Sequence, residues 1–371
     1  MTNCHMKLDQ YPSVRLVLKI FVIATLLSYT FGCRYFGDHH IENQAETMVR
    51  VGKKVPLHLF PSYIMSLKMN SPESSQQGKP SKCSGIRISR YQILTTASCL
   101  LLPTSDGEWI EKGIIEIKYF FKAYSTYSLY HWDICELSPR DIDAIDYHPL
   151  LSQNSLLPVQ NDLAIITVLR VCGGPAQMLQ SAPLPGSYAS RVQPGESYNL
   201  YSFSDLVEWR QSLSDDLFYS AEGIVNSNYL QQAKYDLSES LKRLKAENKH
   251  DPAKINEAYQ KKHHKLEQLS SLSSDSSNTK FFFSLKAVAT ACLSSRGSPV
   301  IKTLPDGQKV VVGLAQNVLP KFEVVSPTLS GVIGAIVGAS IFCFEDIIVT
   351  NLQSYTEWIN TTIQKRSVEK I

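Results

Sequence analysis

Cys292-Leu293-Ser294-Ser295-Arg296-Gly297-Ser298-Pro299 is the stretch whose reading decides the fold of this chain. A cysteine opens the run, a glycine and a proline close it, and three serines surround one arginine. Taken alone it is a weak signal. Its weight comes from two stretches that precede it in a fixed order. Gln92-Ile93-Leu94-Thr95-Thr96-Ala97-Ser98-Cys99 is an apolar run that ends on a serine and a cysteine. Asn161-Asp162-Leu163-Ala164-Ile165-Ile166 sets an acid at the mouth of a second apolar run. Pro61-Ser62-Tyr63-Ile64-Met65-Ser66-Leu67, Tyr147-His148-Pro149 and Tyr355-Thr356-Glu357-Trp358-Ile359 bracket them.

In order and spacing the set resembles the trypsin/chymotrypsin-like (S1 family) serine proteases. In that family the three main stretches read Trp-Val-Leu-Thr-Ala-Ala-His-Cys, Asn-Asp-Ile-Ala-Leu-Leu and Cys-x-Gly-Asp-Ser-Gly-Gly-Pro. The order base, acid, nucleophile separates this family from others that use the same triad. The resemblance covers residues 50–364. It implies an all-β fold, a trypsin-like double six-stranded β-barrel with a C-terminal helix. It also implies that the triad-equivalent positions are Ser98, Asp162 and Arg296, so that none of the triad is intact except its acid.

Acyl transfer needs an activated hydroxyl, a base to take its proton, and donors for the oxyanion. The Ser98 hydroxyl is not basic enough to serve near neutral pH. The Arg296 guanidinium stays protonated and is no nucleophile. Ser294, Ser295 and Ser298 offer hydroxyls, but a shift of one residue on a tight loop aims a side chain elsewhere. His131 and His148 are expected to be structural. Carrying the family pattern over further, Ser294 and Ser295 fall at oxyanion-loop positions and Thr290 at the base of the specificity pocket. Arg50 falls where activation would free an ammonium, and Ser295 where an acid would receive it. Base, nucleophile, activation and specificity positions have therefore all changed. An Asp162 without its imidazole is expected either to pair with Arg296 through the vacated slot, or to be satisfied by Ser98 and backbone N–H groups while Arg296 reaches solvent.

Lys7, Arg15 and Lys19 precede the short apolar run Ile20–Leu27, the pattern of a secretory signal, so residues 1–32 read as a signal peptide or an uncleaved signal anchor. Residues 33–49 are a short polar lead. Export agrees with eight cysteines. The resemblance implies disulfides Cys83–Cys99 and Cys292–Cys343. Cys135 and Cys172 have no counterpart in it and are candidates to pair with each other. Cys33 is left odd and Cys4 leaves with the signal. Asn360-Thr361-Thr362 is a glycosylation sequon. No metal-type cysteine spacing or cofactor motif occurs, so no metal and no cofactor is expected. A net charge of +3 is too small to imply a nucleic-acid partner.

Residues 50–228 read as short strands between turns. Residues 229–278 change character. Leu237, Leu241 and Leu244, then Ile255, Tyr259, Leu266 and Leu269, recur at helical spacing, with Asp251-Pro252 as a start signal. The expectation is an inserted α-helical hairpin whose apolar stripe packs on the barrel or docks a partner. Its basic cluster Lys261-Lys262-His263-His264-Lys265 is diluted by nearby acids, so a solvated face is expected rather than a heparin-like site. Residues 327–344 read as a second, apolar insertion, too short to span a bilayer. Residues 365–371 read as a tail. Together these readings describe a secreted, non-catalytic protease homologue (a pseudoprotease) that acts by protein binding, as cofactor, decoy or regulator. An endopeptidase with a rebuilt site and a membrane-anchored interaction module are the alternatives; membrane contact would require an uncleaved signal.

Overall fold

Two antiparallel sheets carry the chain, as the recurrent β-branched and aromatic runs require. The computed structural model describes residues 53–70, 81–103, 109–123, 131–151, 160–172, 180–186, 191–203, 218–246, 252–273, 278–286, 291–292, 295–319 and 343–368. The signal segment, Cys4, Cys33, the polar lead, Arg50, Thr290, Ser294 and residues 327–342 of the apolar insertion lie outside the described residues. So does Asp251.

The strands, in chain order, are β1 Lys53–Lys54, β2 Ile64–Met69, β3 Ser81–Arg87, β4 Gln92–Thr95, β5 Leu101–Pro103, β6 Trp109–Glu111, β7 Ile114–Ala123, β8 His131–Leu137, β9 Ile142–Tyr147 and β10 Ala164–Val168. They continue with β11 Ser197–Phe203, β12 Phe218–Val225, β13 Lys280–Leu285, β14 Ala291–Cys292, β15 Pro299–Thr303, β16 Lys309–Leu319, β17 Cys343–Phe344 and β18 Asp346–Asn351. The first sheet runs β8-β7-β2-β3-β4-β10-β9. Its two end strands follow each other in the chain across the turn Pro139–Asp141, so the sheet curls into a half-barrel without a ladder between its ends. The second sheet runs β12-β11-β15-β16-β18-β13 and returns to β12, a closed six-stranded barrel with β1 added outside. Closure needs Gly223. It faces Leu285 across the β12–β13 ladder, and a Cβ there would lie 2.5 Å from the Phe283 ring. The architecture is therefore the double barrel expected from the motifs, with a closed second barrel and an open first one.

Each barrel has its own apolar interior. Leu67, Ile93, Ile117 and Ile166 fill the first; Leu200, Phe283, Val312 and Val349 fill the second. A third cluster joins them. Phe60, Ile86, Phe120 and Leu163 from the first half meet Phe203, Phe218, Leu314 and Tyr355 from the second. The ring centroids of Phe60 and Phe218 are 4.3 Å apart and those of Phe120 and Phe218 4.9 Å. Such contacts fix how the halves meet, and the site described below lies along that seam.

Four helices complete the chain: α1 Ala97–Leu100, α2 Tyr229–Ala246, α3 Pro252–Ser273 and α4 Thr356–Val368. In the hairpin of α2 and α3, Leu237, Ile255, Leu266 and Leu269 of the predicted stripe are buried and Leu241 and Tyr259 partly so, while the Leu244 side chain lies outside the described residues. Tyr229, Ala233, Leu237, Ile255, Leu266 and Leu269 pack with Leu319, Ile348 and Phe282 of the second barrel. On its outer face Lys261 pairs with Glu257 at 2.8 Å, one turn away. The tail read from residue 365 needs correction. Helix α4 runs on to Val368, because Arg366 binds Asp146 of β9 through two hydrogen bonds of 2.8 and 2.7 Å. That ion pair fastens the helix end to the first barrel.

Candidate functional site

The three positions expected to be triad-equivalent come from three different elements. Ser98 lies on α1, the single helical turn after β4. Asp162 precedes β10, and Arg296 lies in the turn before β15. Around Asp162 the backbone is held by its neighbours. Asn161 takes a left-handed conformation with φ 53°, donates from Nδ2 to the Leu150 carbonyl at 2.6 Å and accepts from the Tyr355 hydroxyl at 3.1 Å. His148 donates its backbone N–H to Leu163 O, accepts the Leu150 N–H on Nδ1, and lays its ring against Tyr355 and Trp358. These contacts use the imidazole to lock the acid's loop onto α4. The side chain of His131 lies outside the described residues.

Asp162 is fully buried. Ser98 takes both of its oxygens: the backbone N–H donates to Oδ1 at 2.7 Å and the hydroxyl to Oδ2 at 2.8 Å. Burial pushes the carboxyl up from the ordinary range, against these two hydrogen bonds and the charges of Arg296 and Lys280. Among the described residues no ion pair or hydrogen bond joins Arg296 to Asp162, so the anticipated pair across the vacated slot does not form. The reason is local. A serine is short enough to bring both its donors onto one carboxylate, which leaves the acid no need of the arginine. Arg296 does not swing fully to solvent either. It is half-buried, and its Nε is enclosed without a hydrogen-bond partner. Burial lowers its basicity, and the field of Asp162 offsets part of that.

The turn that carries Arg296 is fastened by its backbone. Arg296 O accepts from Ser84 N at 2.8 Å, and Gly297 N donates to Ala315 O at 2.7 Å. One bond goes to β3 and the other to β16, so the turn bridges the two barrels. Gly297 has φ +76°, and a Cβ there would sit 1.9 Å from Ser84 O. Only glycine fits this approach. Ser295 is buried. Ser298 is buried as well, and its hydroxyl lies 3.1 Å from that of Ser84 and 3.2 Å from that of Ser202. A hydroxyl held among two others between the barrels is not presented to the site. Ser84 and Ser202 were not singled out from the sequence. Small polar residues inside strands carry no signal until the strands are placed against each other.

Cys83 and Cys99 are bonded, tying α1 to β3, and so are Cys135 and Cys172. In the chain-entropy view, loops of these lengths contribute about 3 and about 4 kcal/mol. β14 and β17 place Cys292 opposite Cys343 in register, while the Cys292 side chain lies outside the described residues. Asn360 is exposed on α4, and the hydroxyl of its sequon partner Thr362 bonds back to Trp358 O. A second buried arginine was also missed. Arg87 is 2% exposed, stands over the Tyr119 ring at 4.2 Å and has its basicity lowered to about 10 by burial. A cleft of about 740 Å³ opens elsewhere, between Leu230 on α2, Phe281 and Phe282 on β13, and Gln353; none of the three triad positions lines it. Among the described residues no group of three metal-ligating side chains gathers.

No family model matches the sequence, and no curated protein matches it. Solved structures similar to the chain include that of GrC, at 11% identity and a TM-score of 0.46, spanning 84% of this chain and 98% of that one. They also include the scabies mite inactivated protease paralogue S-I1, at 16% identity and a TM-score of 0.45, spanning 85% and 99%. The class of protein that can be stated rests on topology and side-chain geometry: a double-barrel protein in which Ser98 holds the buried Asp162 and Arg296 lies in the turn that bridges the barrels.

Proposed function

We propose that this protein is a secreted, non-catalytic homologue of the trypsin-like serine proteases, which acts by binding a protein partner as cofactor, decoy or regulator. The observation that carries this reading is the capture of both Asp162 oxygens by Ser98. In a working triad the acid orients an imidazole, and the imidazole takes the proton of a nucleophilic hydroxyl. Here the acid is consumed by the residue at the base position, which has no proton-accepting nitrogen. The residue at the nucleophile position is a cation. The Ser298 hydroxyl, which could be invoked as a substitute, is occupied by Ser84 and Ser202. Two bonded cysteine pairs favour an oxidising compartment, in keeping with export.

The test is an active-site-directed organophosphonate probe applied to the purified mature protein, with peptide-amide hydrolysis followed in parallel. The expected outcome is no covalent adduct by intact-mass spectrometry and no turnover above buffer. Stoichiometric labelling of any serine would overturn the reading and point to a rebuilt endopeptidase.

A further inference from the structure

Among the described residues Arg87 and Arg296 are withdrawn from water without an ion pair to a carboxylate, and their surroundings differ. Arg87 is closed off inside the first half, and the π-face of Tyr119 faces its guanidinium at 4.2 Å. Nothing can reach it from outside. Arg296 is half-buried rather than enclosed. Its side chain makes no hydrogen bond, ion pair or ring contact with any described residue, and its Nε is buried and unsatisfied. Asp162, whose charge acts on Arg296, has both oxygens committed to Ser98.

We propose that Arg296 forms a carboxylate-binding site at the seam of the two barrels, which takes a single carboxylate group of a peptide or protein partner. This deepens the non-catalytic reading and rests on it, since it makes the vacated triad site itself the binding site. Three features of the geometry support it. The first is preorganisation. Ser84 N holds Arg296 O and Ala315 O holds Gly297 N, so the backbone beneath the side chain is fixed from both barrels and little order remains to be lost on binding. The second is unmet valence. A guanidinium presents five donors in a planar fork, and here none meets an acceptor among the described residues. A partly desolvated cation in that condition is costly, and a bidentate oxyanion offsets the cost with two charge-assisted hydrogen bonds. The third is charge. The cations that act on the buried Asp162 carboxyl are Arg296 and Lys280, which suits an incoming anion. A planar carboxylate also matches the fork better than a point charge would.

The experiment uses the full mature chain and reads arginine Nε–Hε resonances by proton–nitrogen correlation. N-acetylalanine, which carries a free carboxylate, is compared with N-acetylalaninamide, which has the same shape without the charge, and with inorganic phosphate. The expected result is a saturable shift of one arginine Nε resonance with the carboxylate, with apparent affinity at least about tenfold above that for the amide or for phosphate. Arg296→Gln should remove that resonance and the response. Arg296→Lys, which keeps the charge and loses the fork, should weaken binding about tenfold. Equal responses to carboxylate and amide, a response that survives Arg296→Gln, or phosphate binding tighter than the carboxylate would each overturn the proposal. Should Arg296→Gln fail to fold, the carboxylate-against-amide comparison on the unsubstituted chain decides alone. Failure of the non-catalytic reading would show separately, as organophosphonate labelling.

Discussion

Removing one hydroxyl should convert the Ser98–Asp162 contact into a measurable, pH-dependent loss of stability. In Ser98→Ala the backbone N–H still serves Oδ1, but Oδ2 of a fully buried carboxylate loses its 2.8 Å donor. A hydrogen bond to a charged group contributes about 1.5–3 kcal/mol. Ser98 is half-buried, so a water can partly replace the hydroxyl, and we expect a loss of about 2 kcal/mol at neutral pH. The dependence on pH has a definite sign. Burial already raises the Asp162 carboxyl above its ordinary value, so the folded state holds its proton more tightly than the unfolded state. Stability from this group therefore falls as pH rises from the ordinary carboxylate range through the raised folded value. Losing the hydroxyl raises the folded value further. The difference between variant and parent should then be small up to the parent's folded value, where the carboxyl is protonated in both folded states, grow between the two folded values and level off above the variant's. Urea denaturation of both proteins over a pH series, with the disulfides kept oxidised and equal m-values required, gives the difference directly. A loss that does not vary with pH, or one under about 0.5 kcal/mol at neutral pH, would refute the assignment of Ser98 as the acid's donor.

Gly297→Ala should cost about 3 kcal/mol or more, since its Cβ would meet Ser84 O at 1.9 Å from a left-handed backbone; Gly307→Ala, also left-handed but with nothing within 4 Å, should cost only about 1 kcal/mol, and calorimetric melting separates the two. Arg366→Ala removes a bidentate, mostly shielded ion pair with Asp146 and should cost about 1–2 kcal/mol, with part recovered when the two charges are exchanged; denaturant midpoints of the four proteins of that cycle test it. Arg296→Ser removes a partly desolvated cation that has no partner, so stability should stay level or rise by up to about 1 kcal/mol; a clear drop in melting temperature would reveal a contact that the geometry lacks.

The double-barrel architecture was legible because its markers are local in the chain: a cysteine beside Ser98, an acid before an apolar run, a glycine and a proline after Arg296. The helical hairpin was legible by its period, and Pro252 does begin the second helix. What could not be read were the consequences of bringing distant strands together. Ser84, Ser202 and Ser298 come from β3, from β11 and from the turn before β15, and nothing in one stretch points to the other two. Of the two arrangements weighed for Asp162, its capture by Ser98 is the one present, while Arg296 neither pairs with it nor reaches solvent fully. Reach and charge made a pair with Asp162 plausible, but a neighbour already placed by α1 satisfied the acid first. Residues 365–368, read as part of a tail, continue helix α4, and Arg366 there meets Asp146 of β9, a contact between distant segments.

Ser98 and Arg296 differ in what they do for the fold. Ser98 is tied into it through its side chain: its hydroxyl and its amide together replace the imidazole that a buried Asp162 would otherwise lack. Arg296 is tied in through its backbone alone. The bonds that pin its turn, Ser84 N to Arg296 O and Gly297 N to Ala315 O, would form with any residue at that place, and the conformational demand falls on Gly297 instead. The identity of the side chain at position 296 is thus set free from the requirement to fold, while its position and orientation stay fixed from both barrels. A side chain in that situation, charged, half-withdrawn from water and unsatisfied, lowers stability where it stands. Stability does not account for it, which is the ground on which the carboxylate site is proposed.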